Sequence, residues 1–108
     1  MQTIKFKPDL FDLVLRGKKL STVRKGLRDY TLGDVLLETD PPRYTIHGTI
    51  TKIELKKLSD LTESDANKGG YDSVSNLLER LKQIYPEIQD DSEITVVDFD
   101  HAEGQPNI

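Results

Sequence analysis

The chain has no cysteine, no tryptophan and one methionine, and only 6% of its residues are aromatic. Without cysteine there is no disulfide framework, no thiolate nucleophile and no thiolate metal site. That usage fits a reducing compartment, and a cytoplasmic location is the expectation. So few aromatic rings exclude a broad platform of stacked bases, leaving room for one or two. No apolar run approaches the roughly 20 residues that span a bilayer, so no membrane contact is expected. A phosphate-cradling glycine loop is also missing, which argues against nucleotide hydrolysis. His47 and His101 lie far apart, without carboxylates at ligand spacing, so neither a metal nor another cofactor is expected.

What is present is charge, unevenly placed. The 108 residues carry a formal net charge of −4, with 31% of positions charged. Residues 1–58 hold 12 Lys and Arg against 7 Asp and Glu; residues 59–108 hold 3 against 12. Within the basic half, Arg16, Lys18, Lys19, Arg24, Lys25 and Arg28 precede the next acid, Asp29. A block this basic in an acidic protein points to an anionic partner. The plainer reading is ordinary solvated surface, with the fold bringing opposite charges together.

The length fits one domain with one modest core. Thr3 to Lys7 alternates polar and apolar residues, a short strand. Pro8 opens a helix whose inward stripe is Leu10, Phe11 and Val14, and Gly17 is placed to end it. Strands follow over Leu20 to Lys25 and Val35 to Glu38. Tyr44 to Leu58 reads as one long strand, or two with a bulge near Gly48. Thr62 and Asp65 form a capping-box pattern for a short helix ending at Gly69-Gly70. Asp72 or Ser73 caps a second helix with Val74, Leu77, Leu78, Leu81 and Ile84 on its apolar face, stopped by Pro86. Glu93 to Phe99 is apolar enough at its centre to lie inside the sheet. Residues 1–100 are expected to form the domain and 101–108 a flexible C-terminal tail. The order predicts an α+β domain around a small barrel-like sheet.

In that setting Gly17-Lys18-Lys19-Leu20-Ser21-Thr22-Val23-Arg24 becomes specific. The spacing Gly17-x-Lys19-x-x-Thr22-x-Arg24 after a first strand and helix resembles the signature of ASCH domains, of the PUA-like superfamily. Gly33-Asp34 and the late Ile84-Tyr85-Pro86 match the family pattern too. The resemblance covers roughly residues 2–100. It implies a PUA-like pseudo-barrel of about five or six mostly antiparallel strands with three peripheral helices. It also implies RNA-directed work: binding RNA or a modified nucleoside in a cationic cleft. Some small bacterial members are amidohydrolases acting on acetylated cytidine, and others are described as ribonucleases. In the amidohydrolases a Lys, a Thr and a Glu carry the chemistry. Lys19 and Thr22 fall on the first two positions; Gly69 aligns with the third and is no carboxylate, while Glu63 and Asp65, nearby in sequence, would have to point at the same cleft to replace it.

The residues themselves bear on this. In a strand, Leu20, Thr22 and Arg24 share one face, and Ser21, Val23 and Lys25 the other. Strict alternation would put Lys18 on the Thr22 face, whereas the resemblance and the turn at Gly17 favour Lys19. Arg24 is suited to a two-bond hold on a phosphate or base edge, or else to a surface ion pair, Asp34 being at hand. Lys19, among cations, could become a base, and Thr22 a nucleophile or a hydrogen-bond donor. Of Tyr30, Tyr44 and Tyr71, the last, after Gly69-Gly70, is the preferred stacking residue. The candidate binding set is Lys18, Lys19, Thr22, Arg24 and Tyr71. Lys19 and Thr22 are the candidate catalytic pair if the protein is an enzyme.

Overall fold

The first strand, β1 (Thr3–Phe6), sends Ile4 and Phe6 inward, and Lys7 then caps helix α1 (Pro8–Leu15). The computed structural model describes residues 1–101. Proline at the first helical position costs no hydrogen bond, and Phe11 and Val14 bury the inner face of α1. The chain continues through β2 (Ser21–Lys25), β3 (Gly33–Thr39) and β4 (Thr45–Lys57). A 3-10 turn over Leu58–Asp60 leads to α2 (Glu63–Lys68), α3 (Val74–Ile84) and β5 (Glu93–His101).

The strand order is β1-β3-β4-β5-β2. Every pairing is antiparallel except β1 with β3, and the sheet curls into a half-barrel flanked by three helices. This is the α+β pseudo-barrel expected from the sequence. β1 and β2 are its two free edges. β5, between β4 and β2, is buried on both faces, as its composition predicts. Val97 and Phe99 join Ile4, Phe6, Phe11, Val14, Val35, Leu37 and Ile50 in a first core. Ile94 and Val96 join Leu58, Leu61, Leu77, Leu81 and Ile88 in a second core under α2 and α3. Each such fully buried side chain contributes about 1.5–3 kcal/mol of transfer free energy, which holds the helices to the sheet.

Of the two readings of residues 44–58, the single long strand holds. β4 is one continuous strand, and its register against β5 slips between Ile50 and Lys52. Gly48 serves close approach instead: a Cβ there would meet Asp100 O at 2.7 Å and Leu37 Cδ1 at 2.9 Å. The capping box is present, with Thr62 accepting from the Asp65 N–H and Asp65 accepting from the Thr62 N–H. Ser73, not Asp72, caps α3. The tail expected over 101–108 falls outside the described residues from Ala102 onward, and His101 is the last residue of β5.

Candidate functional site

The turn from α1 to β2 decides which lysine faces inward. Gly17 takes a left-handed φ of 74°, and the N–H groups of Lys18 and Lys19 both donate to Leu13 O. The chain therefore reverses before β2 begins, and strand parity does not apply to Lys19. Lys18 is left exposed, while Lys19 is only 3% exposed. The turn is fastened to the C-terminal end of α2. Leu20 N–H donates to Lys68 O at 2.7 Å, and Lys19 Nζ donates to Gly69 O at 2.9 Å. Lys19 Nζ also lies 5.4 Å from the ring centre of Tyr71.

Arg24 spans the gap between the two free edges of the half-barrel. Its Nη2 donates to Lys5 O of β1 at 2.7 Å, and its Nε to Thr22 Oγ1 at 3.1 Å. The guanidinium lies 5.4 Å from the centre of the Phe6 ring. Asp34 is not its partner; Gln2 holds the Asp34 carbonyl instead. Among the described residues two of the five N–H groups of Arg24 are engaged in this way, both on its Nε side.

A cavity of about 230 Å³ opens at this seam. Lys19, Thr22, Arg24 and Tyr71, from the sequence-based set, all line it, and Lys18 does not. Phe6 and Tyr85 add aromatic walls, and Lys5, Lys7 and Arg80 add positive charge. Asp40 is the one carboxylate residue in the lining. Sequence reasoning missed Arg80 and Tyr85. Arg80 lies three residues after Leu77 and four before Ile84, beside the apolar stripe of α3, which was the available signal.

The remaining basic block is dispersed. Arg16 pairs with Asp12, Lys25 pairs with Glu87, and Arg28 donates to Lys25 O. Tyr44 stands 65% exposed beside a second hollow of about 450 Å³ between α1 and the turn at 39–44. Tyr30 packs against the first core. Among the described residues no group of three His, Asp or Glu side chains is placed to hold a metal.

Burial lowers the pKa of Lys19 from 10.5 to about 7, with Arg24 and then Arg80 adding repulsion. The same desolvation lowers Arg24 and raises Tyr71 from their ordinary values. Lys19 thus gives up its proton far more readily than an ordinary lysine, with a neutral carbonyl as its hydrogen-bond acceptor.

The sequence matches no protein-family model and no curated protein. Its fold does match solved structures. An ASCH domain from Lactobacillus crispatus JV V101 superposes with a TM-score of 0.76 at 17% identity, over 93% of this chain and 78% of that one. This is the ASCH-domain fold. A mutant ASCH protein from Zymomonas mobilis matches at 0.68 and 16% identity, over 92% of this chain and 67% of that one. A protein from Enterococcus faecalis V583 matches at 0.72 and 14%, over 94% and 76%. In this ASCH fold the residues at the signature spacing come together at one seam. No helix among the described residues is long and apolar enough to cross a membrane.

Proposed function

We propose that this ASCH-fold protein binds RNA through an unpaired nucleotide, or a free modified nucleoside, in the cavity between β1 and β2. One observation carries the reading. Five basic residues (Lys5, Lys7, Lys19, Arg24 and Arg80) line a single cavity with one carboxylate residue, between Phe6, Tyr71 and Tyr85. The half-buried Tyr71 and Tyr85 rings supply stacking faces for a base, and exposed Lys5 and Lys7 supply the rim with charge for phosphate. The volume suits one base rather than a run of them. Affinity for a short single-stranded RNA is expected to fall with salt, with a log–log slope of about −1 to −2 for two or three neutralised phosphates. A flat response, or no binding at low salt, overturns the reading.

A second reading is hydrolysis of acetylated cytidine. The near-neutral pKa of Lys19 favours it, because an amine that is free at neutral pH can take a proton from an attacking water. The Thr22 hydroxyl accepts from Arg24, which holds it at the cavity wall. Gly69 stands where a carboxylate would be needed to protonate the leaving group, and it offers only its carbonyl to Lys19. Incubation with acetylcytidine followed by chromatography tests this. Released acetate that disappears in Lys19→Met and Thr22→Ala supports hydrolysis, and an unchanged substrate peak rejects it. Metal-independent RNA cleavage would draw on the same amine and cations. Cleavage that persists in a Lys19 and Arg24 double variant belongs to a contaminant.

A further inference from the structure

The free edges of the half-barrel carry main-chain groups as well as side chains. Two hydrogen bonds fix which way those groups point in β2. Phe99 N–H donates to Leu20 O, and Gly26 N–H donates to Glu93 O. In the antiparallel register Ser21↔Asp98 to Lys25↔Ile94, these bonds make 20, 22, 24 and 26 the hydrogen-bonded positions. The N–H and C=O groups of Ser21, Val23 and Lys25 therefore point away from β5, toward the open edge. Lys25 O confirms the direction, since it accepts from Arg28 on that side.

The same argument applies across the seam. Leu36 N–H donates to Gln2 O and Asp40 N–H donates to Phe6 O, so the even positions of β1 face β3. Lys5 turns its N–H and C=O toward β2, and its carbonyl is the one Arg24 reaches. The two strands are not paired with each other, and a guanidinium bridges them. Of the open-edge residues of β2, Val23 lines the cavity. Its N–H and C=O have no protein partner among the described residues. Its side chain packs against the second core.

We infer that the main chain of Val23 reads the hydrogen-bonding edge of the bound base, its N–H donating to a ring or carbonyl acceptor and its C=O accepting from an adjacent N–H. This rests on the nucleotide-binding reading and adds to it the group that recognises the base. An extended N–H/C=O pair on one side of a strand matches a lactam or amidine edge, which also carries a donor beside an acceptor. An edge already in Watson–Crick pairing cannot make these bonds, so the site takes an unpaired base.

Uridine 5′-monophosphate, its 3-methyl derivative and ribose 5-phosphate separate the contributions at low salt, and amide proton spectra locate them. Uridine monophosphate is expected to bind at least tenfold more tightly than the 3-methyl form, which keeps the ring and charge but loses the edge donor. It should move the Val23 amide resonance, which ribose 5-phosphate should not. Equal binding of the parent and 3-methyl nucleotides, or an unmoved Val23 amide, overturns the inference while the cationic cavity stands. Binding of uridine monophosphate no tighter than of ribose 5-phosphate does the same. If none of the three binds, the nucleotide-binding reading fails, and this one with it.

Discussion

Two lysines lean on opposite ends of α2, and they have opposite chemistry. Lys56, from β4, reaches the N-terminal end and places its amine 2.7 Å from the Asp65 carboxylate. Lys19, from the turn before β2, reaches the C-terminal end and finds only the Gly69 carbonyl and the Tyr71 ring. The hydrogen bond to Asp65 raises the pKa of Lys56, whereas burial among Arg24 and Arg80 lowers that of Lys19 to about 7. Both amines are hydrogen-bonded, so bonding is not the difference. Burial and the charge of the partner are: Lys19 is almost fully buried against a neutral carbonyl, whereas Lys56 keeps more of its water and has an ion pair. Lys56 is a strut of the fold. Lys19 is a group kept in an unfavourable state beside a cavity, the arrangement found where a side chain is used for binding or proton transfer.

The largest expected effect breaks the comparison by removing the unfavourable partner. The unfolded chain holds the Lys19 proton up to pH 10.5, and the folded protein only up to about 7. Between those values the unfolded state binds more protons, so stability rises with pH across the window, by at most about 5 kcal/mol. Lys19→Met removes that slope. It should be more stable than the parent at about pH 6, with the gap closing toward pH 10.5, as read by denaturant unfolding at several pH values. Parallel curves for the two proteins would mean that the folded protein hydrates the amine.

Next in size is Asp65→Asn, which moves Lys56 toward the situation of Lys19. Burial alone would raise the Asp65 pKa, but hydrogen bonds from Lys56 and Thr62 outweigh it and lower it. A carboxyl depressed in the folded state contributes stability above its unfolded pKa of 3.8, which is lost as pH falls through the folded value. The variant should lose about 2 kcal/mol at neutral pH and clearly less at an acid pH below 3.8, by the same unfolding measurement. An equal loss at both pH values would assign the effect to the helix cap rather than to the ion pair.

The ion pair at α2 and the seam were not equally legible in the sequence. The capping box, the α3 stripe and the buried central strand are local patterns whose periods are visible in a few residues. They led to the α+β pseudo-barrel. Lys19 was harder, because parity along β2 favoured Lys18 until the turn at Gly17 removed Lys19 from the strand. The long strand left two readings open because a glycine inside a strand signals either a bulge or close backbone approach, and at Gly48 it is the second. Lys5 and Phe6 were out of reach for another reason. They meet the signature only when the sheet curls, which is set by long-range packing of β1 against β3 and β5 against β2.

Arg24→Lys tests whether charge alone makes the seam. Lysine keeps the charge and loses the planar set of donors that reaches both Lys5 O and Thr22 Oγ1. Uridine monophosphate binding should weaken by about 1–3 kcal/mol. Lys25→Ala, which removes a cation paired with Glu87 outside the cavity, should change it by less than about 0.5 kcal/mol. Titration calorimetry at one salt concentration compares them, with thermal unfolding to show that both fold. Equal affinity of Arg24→Lys and the parent would take Arg24 out of the binding contacts.

The smallest effect concerns the charges that surround Lys19. Arg80 is a lesser cause of its lowered pKa than burial or Arg24. Its own charge is partly countered, since Arg80 Nη1 lies 3.6 Å from Asp9 Oδ2 of α1. Arg80→Gln removes a repelling cation, so the Lys19 pKa should move up from about 7, by an energy of about 1 kcal/mol or less. Asp9→Asn removes the counter-charge, leaves the Arg80 charge unopposed, and should move the Lys19 pKa slightly down. Titration of the Lys19 side-chain resonances by NMR reads both directions in one experiment. Opposite signs would show that the acidic end of α1 tunes the amine through Arg80. A shift of the same sign in both variants would mean that each acts by reshaping the cavity, and burial alone would then set Lys19 apart from Lys56.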